Sequence, residues 1–79
     1  MPRYFINIYN DADVLDDEGA DHADLAAAKE VAIRGVRAMM AEHVSSGRPV
    51  NLRHRVEITD NSGKVLATIP FGELITIVD

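Results

Sequence analysis

The sequence predicts an α+β fold, a small and mainly antiparallel sheet of three to five strands with one amphipathic helix packed on one face. Three observations carry this. Apolar side chains alternate at a two-residue period from Arg3 to Tyr9, and the same period returns between Arg55 and Phe71. Between these ends, Leu25 to about His43 repeats apolar residues at steps of three and four, the period of a helix. No second segment makes a helix of useful length. One helix covers one face of a sheet, so the other face needs water-tolerant side chains or a partner.

The first strand sets Tyr4, Ile6 and Ile8 on one face, while Phe5 and Tyr9 make the second face partly apolar. Asn10-Asp11-Ala12-Asp13 is a polar turn-forming stretch, after which Val14 and Leu15 suggest a short second strand closed by the turn Asp17-Glu18-Gly19. Asp24 is the natural N-cap of the helix, with Asp21 as a second candidate, since a carboxylate there accepts bonds from unpaired first-turn amides. Leu25, Ala28, Val31, Ala32, Val36 and Met39 form the apolar stripe, opposite Glu30, Arg34, Arg37 and Ala41. Gly35 falls on that stripe, where glycine is unfavourable, and suggests a close approach by a strand. Ile33 and Met40 widen the stripe at one edge, and Ser45-Ser46-Gly47 ends the helix.

The clearest local signal is a hairpin. Val56 and Ile58 alternate with Arg55, Glu57 and Thr59, Asp60-Asn61-Ser62-Gly63 forms the turn, and Lys64 to Ile69 returns. Strict alternation puts Val65, Ala67 and Ile69 on one face and Leu66 and Thr68 on the other, with Pro70 at a strand end or edge and Phe71 closing the core. The β-branched tail Leu74-Ile75-Thr76-Ile77-Val78 reads as a last strand, paired internally or with another chain.

Length bounds the domain count, because 79 residues make one small domain, taken as residues 1–79. A chain of this size buries only roughly 60–65% of its unfolded surface, so such domains often rely on cross-links or association. Cysteine is absent, which excludes disulfides and thiolate metal sites and leaves good packing or self-association as the routes to stability, the second favoured. No signal peptide is visible at the N-terminus, and the charges Lys29, Glu30, Arg34 and Arg37 within the helix exclude a membrane span; the expected location is the cytoplasm.

The net charge of −5 is unevenly spread. Asp11, Asp13, Asp16, Asp17, Glu18, Asp21 and Asp24 form a run without lysine or arginine, and Arg48, Arg53 and Arg55 form a basic cluster after the helix, with His54 inside it. The acidic run is not a calcium loop. Asp11 and Asp13 fit the first ligand positions, but Leu15 occupies the third, Asp16 replaces the turn glycine and His22 replaces the closing glutamate.

Chemistry-bearing motifs are few. Ser45, Ser46 and Ser62 lie in turns and none occupies a nucleophile elbow. His22, His43 and His54 lack the short spacing of a zinc pair, and the five glycines are too dispersed for a phosphate loop. No cofactor is expected and an enzyme is disfavoured, since catalysis needs a concave site with placed polar groups. Two binding readings stay open. One is a protein-interaction module that self-associates through Phe5, Tyr9 and Leu66, or through the apolar tail as an added strand. The other is a nucleic-acid-associated regulator, with Arg48, Arg53 and Arg55 on phosphates and Tyr4, Phe5 or Tyr9 stacked on bases.

Met1-Pro2-Arg3-Tyr4-Phe5-Ile6-Asn7-Ile8, then Asp17-Glu18-Gly19, an alanine-rich helix, and Asp60-x-x-Gly63-Lys64-Val65-Leu66 closing on Ile69-Pro70-Phe71 make a pattern spanning nearly the whole chain. It resembles a family of short proteins of unknown function found in rhizobia and related alphaproteobacteria. Ile6 stands where that pattern usually has a second aromatic, and Tyr9 where histidine is frequent. The resemblance implies fold and source class, and carries no catalytic residue across.

Overall fold

The structure is a computed structural model that describes residues 2–78; Met1 and Asp79 lie outside the described residues. In chain order it contains β1 (Arg3–Tyr9), β2 (Ala20–Asp21), α1 (Leu25–Ser45), β3 (Arg55–Thr59), β4 (Val65–Pro70) and a 3₁₀ turn at Phe71–Glu73. The strands form one sheet in the order β2-β1-β3-β4, every neighbouring pair antiparallel. The α+β architecture with a helix on one sheet face is therefore as the periodicities require. No described helix is long and apolar enough to cross a membrane.

The register explains the core. Ile6 faces Ile58 and Ile8 faces Val56 across β1 and β3, and Ile58 and Val56 face Ala67 and Ile69 across β3 and β4. These rows point at α1, whose buried residues Ala28, Ala32, Val36 and Met40 follow one another at steps of four. Tyr4, Phe71 and Leu74 complete the buried cluster. A four-residue row slants around a helix, so the contact line drifts toward the Met40 side. Two expectations fail for that reason: Val31 is 49% exposed, and Met40 is central where the period puts Met39, which is only partly buried.

Gly35 is likewise off the contact line. It is exposed, and a methyl group added there would meet nothing within 4 Å, so no strand approaches it. Alanine at that position is expected to raise stability by about 0.8–1 kcal/mol through helix propensity alone. A thermal melt should show the midpoint rising by about 4–8 °C for a domain of this size; a fall would mean that the glycine serves a contact after all.

Asp24 caps the helix as its chemistry predicts, with Oδ1 accepting from the Ala27 amide at 2.8 Å. The helix runs to Ser45, two residues past the expected end. It stops where Ser46 donates its amide and its hydroxyl to the Glu42 carbonyl and the Gly47 amide bonds back to the Val44 carbonyl. The hairpin turn is organised by Asp60, whose Oδ1 accepts from the Ser62 amide at 2.8 Å and the Lys64 amide at 3.1 Å.

Two predicted strands are absent. Val14 forms a single bridge with Ile8, Leu15 stays exposed, and the strand that pairs with β1 is Ala20–Asp21 instead. The reason lies at the outer edge of β1. Ile8 bonds to the Val14 carbonyl, but the next outward amide, that of Ile6, bonds to the Asp16 carboxylate at 3.1 Å, so a side chain stands where a strand carbonyl would be. The C-terminal tail is not a strand either. After the 3₁₀ turn, Leu74 is buried and its carbonyl accepts from Arg37 Nε at 2.8 Å, which holds the segment against α1, and the tail pairs with no strand among the described residues.

Candidate interaction surfaces

The sheet face away from α1 is built from cross-strand rows. Phe5 lies opposite Thr59, Asn7 opposite Glu57 and Tyr9 opposite Arg55, and on the other side of β3 Val65, Thr68 and Pro70 continue the same rows. All of these side chains are half-buried or exposed. The Arg55 guanidinium sits over the Tyr9 ring, 4.4 Å from its centroid, and Arg55 Nε donates to Glu57 Oε2 at 2.9 Å. That hydrogen bond, with the charge of Glu57 and the nearby Tyr9 and Asp13, pushes the arginine still further toward its protonated form.

Leu66 does not belong to this face. Register slips between Ile58 and Thr59, so Ile58 faces Ala67 while Thr59 faces Val65, leaving Leu66 as the extra residue of a bulge. Alternation restarts there, and Leu66 packs against the core while Val65, 47% exposed, takes the open face. Strict alternation along β4 assigned the two residues the other way round, because sequence periodicity carries no mark of a bulge.

At the edge of the open face, the loop after Val14 folds back over Phe5. Gly19 has φ +69°, and a Cβ there would lie 2.9 Å from Phe5 Cε2 and 2.9 Å from the Tyr4 carbonyl oxygen, so only glycine fits. Asp16 holds this loop, accepting from the Gly19 amide at 2.9 Å as well as from Ile6, while its own amide donates to Asn7 Oδ1 at 2.9 Å. Arg3 adds a bond to the Glu18 carbonyl at 2.6 Å. Partial burial pushes the Asp16 carboxyl up, but the amides of Gly19, Ile6 and Glu18 and the Arg3 charge outweigh it and hold the group below the usual aspartate range.

The basic cluster does not converge. Arg48 turns to Ser46 and Glu42 at the helix end, Arg53 lies in the turn before β3 with its amide bonded to Asn51 Oδ1, and Arg55 stays on the sheet. His54 faces Asp11 at 3.8 Å, so the basic segment lies against the tip of the acidic run. Among the described residues no group of three or more His, Cys, Asp or Glu side chains is placed to hold a metal ion. Phe5 and Tyr9 each carry a neighbour from their own chain, the Gly19 loop and Arg55 respectively.

A second surface lies on the helix side, where the last turns of α1 meet the segments around Val50 to Leu52 and Ile75 to Ile77. They border an open groove of about 600 Å³ whose walls are mainly aliphatic, with Arg37 and Ser45 the polar members. Val44 and Ile77 on its rim are 69% and 68% exposed. Sequence reading missed the groove, because Val50 and Leu52 belong to no periodic segment and Val44 lies past the helix end expected near His43; the signal available was the apolar tail, too hydrophobic for solvent.

Among the described residues these features define a small one-helix, four-strand α+β module with two solvent-facing surfaces, an open sheet face and a largely aliphatic groove. The chain belongs to the family described as Domain of unknown function (DUF6894), whose profile matches residues 3–72. No curated protein and no solved structure matches the chain.

Proposed function

We propose that this chain is a non-catalytic protein-interaction module that self-associates, two copies meeting through their open sheet faces. One observation carries the reading. The sheet has a helix on one face only, and the other presents Phe5, Tyr9 and Val65 around an Arg55–Glu57 pair. In a twofold contact the same patch meets itself, so Arg55 of one copy can lie against Glu57 of the other while the apolar side chains stack. Pairing through sheet edges has less support: β4 is a short edge interrupted by a bulge and ended by Pro70, and β1 is covered by residues 14–21, both devices that blunt edges. The nucleic-acid reading is weaker again, since its three arginines sit on different elements and acidic side chains of the same chain lie beside Arg48, Arg55 and the intervening His54.

Light scattering across a concentration series is expected to show a mass rising from one chain to two, and Tyr9→Glu is expected to return it to one. A wild-type monomer up to about 1 mM chain, equivalent to only about 4 kcal/mol of association free energy, would remove self-association. A salt-dependent shift of Arg48, Arg53 and Arg55 amides on adding RNA or DNA would favour the regulator instead.

A further inference from the structure

We propose that the groove beside the C-terminal half of α1 is a binding site for an aliphatic carboxylate, an anion of fatty-acid type. The inference goes beyond self-association and uses a different surface. At about 600 Å³ the groove is of the size that small molecules occupy. Its walls are Met40, Val44, Val50, Leu52, Ile75 and Ile77, flexible or branched aliphatics with no aromatic ring among them. Such walls suit an alkyl chain, which gains about 0.8 kcal/mol for each methylene taken out of water. An extended peptide suits them poorly, because its amides and carbonyls would meet few polar partners there.

The charge at the groove specifies the head group. Arg37 is the one charged side chain in the lining, and it makes no ion pair among the described residues, unlike Arg3, Arg34, Arg48 and Arg55. Its Nε is already bonded to the Leu74 carbonyl at 2.8 Å, which fixes the guanidinium plane beside the tail. The two terminal nitrogens are left to donate, in the fork that matches a carboxylate. Alkyl chain in the groove and carboxylate on Arg37 satisfy both halves of the site at once.

The test uses the full chain and decanoate below its micelle-forming concentration, followed by amide NMR, with decanol and decyltrimethylammonium as neutral and cationic probes of the same chain. Decanoate is expected to give saturable shifts at Val44, Val50, Leu52 and Ile75 and to bind about tenfold more tightly than the cation, the scale of one charge-assisted hydrogen bond. Arg37→Met keeps the apolar stem and should lose that preference; Arg37→Lys should restore part of it. Val44→Glu, on the exposed rim, should abolish binding without unfolding the domain. Tyr9→Glu, which tests the sheet-face dimer, should leave decanoate binding unchanged, so the two readings fail separately. No saturable shift, or equal affinity for all three probes, overturns the proposal. Shifts of the same amides on dilution without ligand overturn it too, by seating a second copy in the groove.

Discussion

Replacing Ile58 by alanine is expected to destabilise the domain by about 3 kcal/mol, within the roughly 2–5 kcal/mol seen when a buried isoleucine becomes alanine. Ile58 is fully buried at the middle of the central strand pair, opposite Ile6 on one side and the bulged Leu66–Ala67 pair on the other. It touches both neighbouring strands and the underside of α1, so the cavity opens where the sheet and the helix meet and no surface side chain can swing in to fill it. A chain of this length has about 4–12 kcal/mol of stability in all. The variant should therefore melt roughly 12–24 °C lower, close to the point where an unfolded fraction shows at room temperature. Val31→Ala is the matched control, since Val31 is half exposed on the far side of the contact line; it should leave the midpoint within about 4 °C. A loss below about 1 kcal/mol for Ile58→Ala would mean that the sheet repacks freely, and that the alternation does not fix the core.

The parts of this architecture legible in the sequence are those that repeat. Tyr4, Ile6 and Ile8, then Val56 and Ile58, mark the inner face by period alone, and Asp24 and Asp60 mark the helix start and the hairpin turn by side-chain chemistry. What stayed hidden depends on events outside any period. The bulge at Leu66 exchanges it with Val65, the slant of the helix moves the contact line from Gly35 to Met40, and the apolar tail bonds to Arg37 of α1 and joins no sheet edge. The sites follow the same division. Phe5, Tyr9 and Arg55 share the open face because alternation is local, whereas Arg48 and Arg53, near Arg55 in sequence, are turned elsewhere by the helix cap and the turn before β3. Period puts Arg37 on the solvent side of the helix, where it is indeed exposed, but its bond to the tail is visible only once Leu74 has folded back to meet it.

Replacing Asp16 by alanine is expected to cost about 2 kcal/mol at neutral pH, because it leaves the amides of Ile6 and Gly19 without their acceptor. Asp16 is the member of the acidic run whose carboxylate joins the β1 edge to the loop beside it. It supplies to the β1 edge the bond that a neighbouring strand would otherwise supply, between the Ile8–Val14 bridge and the pairing of Tyr4 with Ala20. The pH dependence has a definite direction. Its carboxyl titrates lower in the folded chain than in the unfolded one, so the stabilisation is complete above the unfolded aspartate value, about 3.9, and is lost as pH falls through the lower folded value. Asp60, also lowered, chiefly by its bond to Ser62, titrates in the same direction from the exposed hairpin turn. For that reason the informative quantity is the difference between wild type and Asp16→Ala, in which the Asp60 contribution cancels. Urea unfolding at successive pH values should show this gap constant from neutrality to about pH 5 and narrowing below about pH 4. Asp16→Asn, which keeps one acceptor and no charge, should fall between the two at neutral pH. A gap that is absent at pH 7, or that persists unchanged into acid, would mean that the loop over Phe5 is held by the Gly19 backbone and Arg3 without the carboxylate.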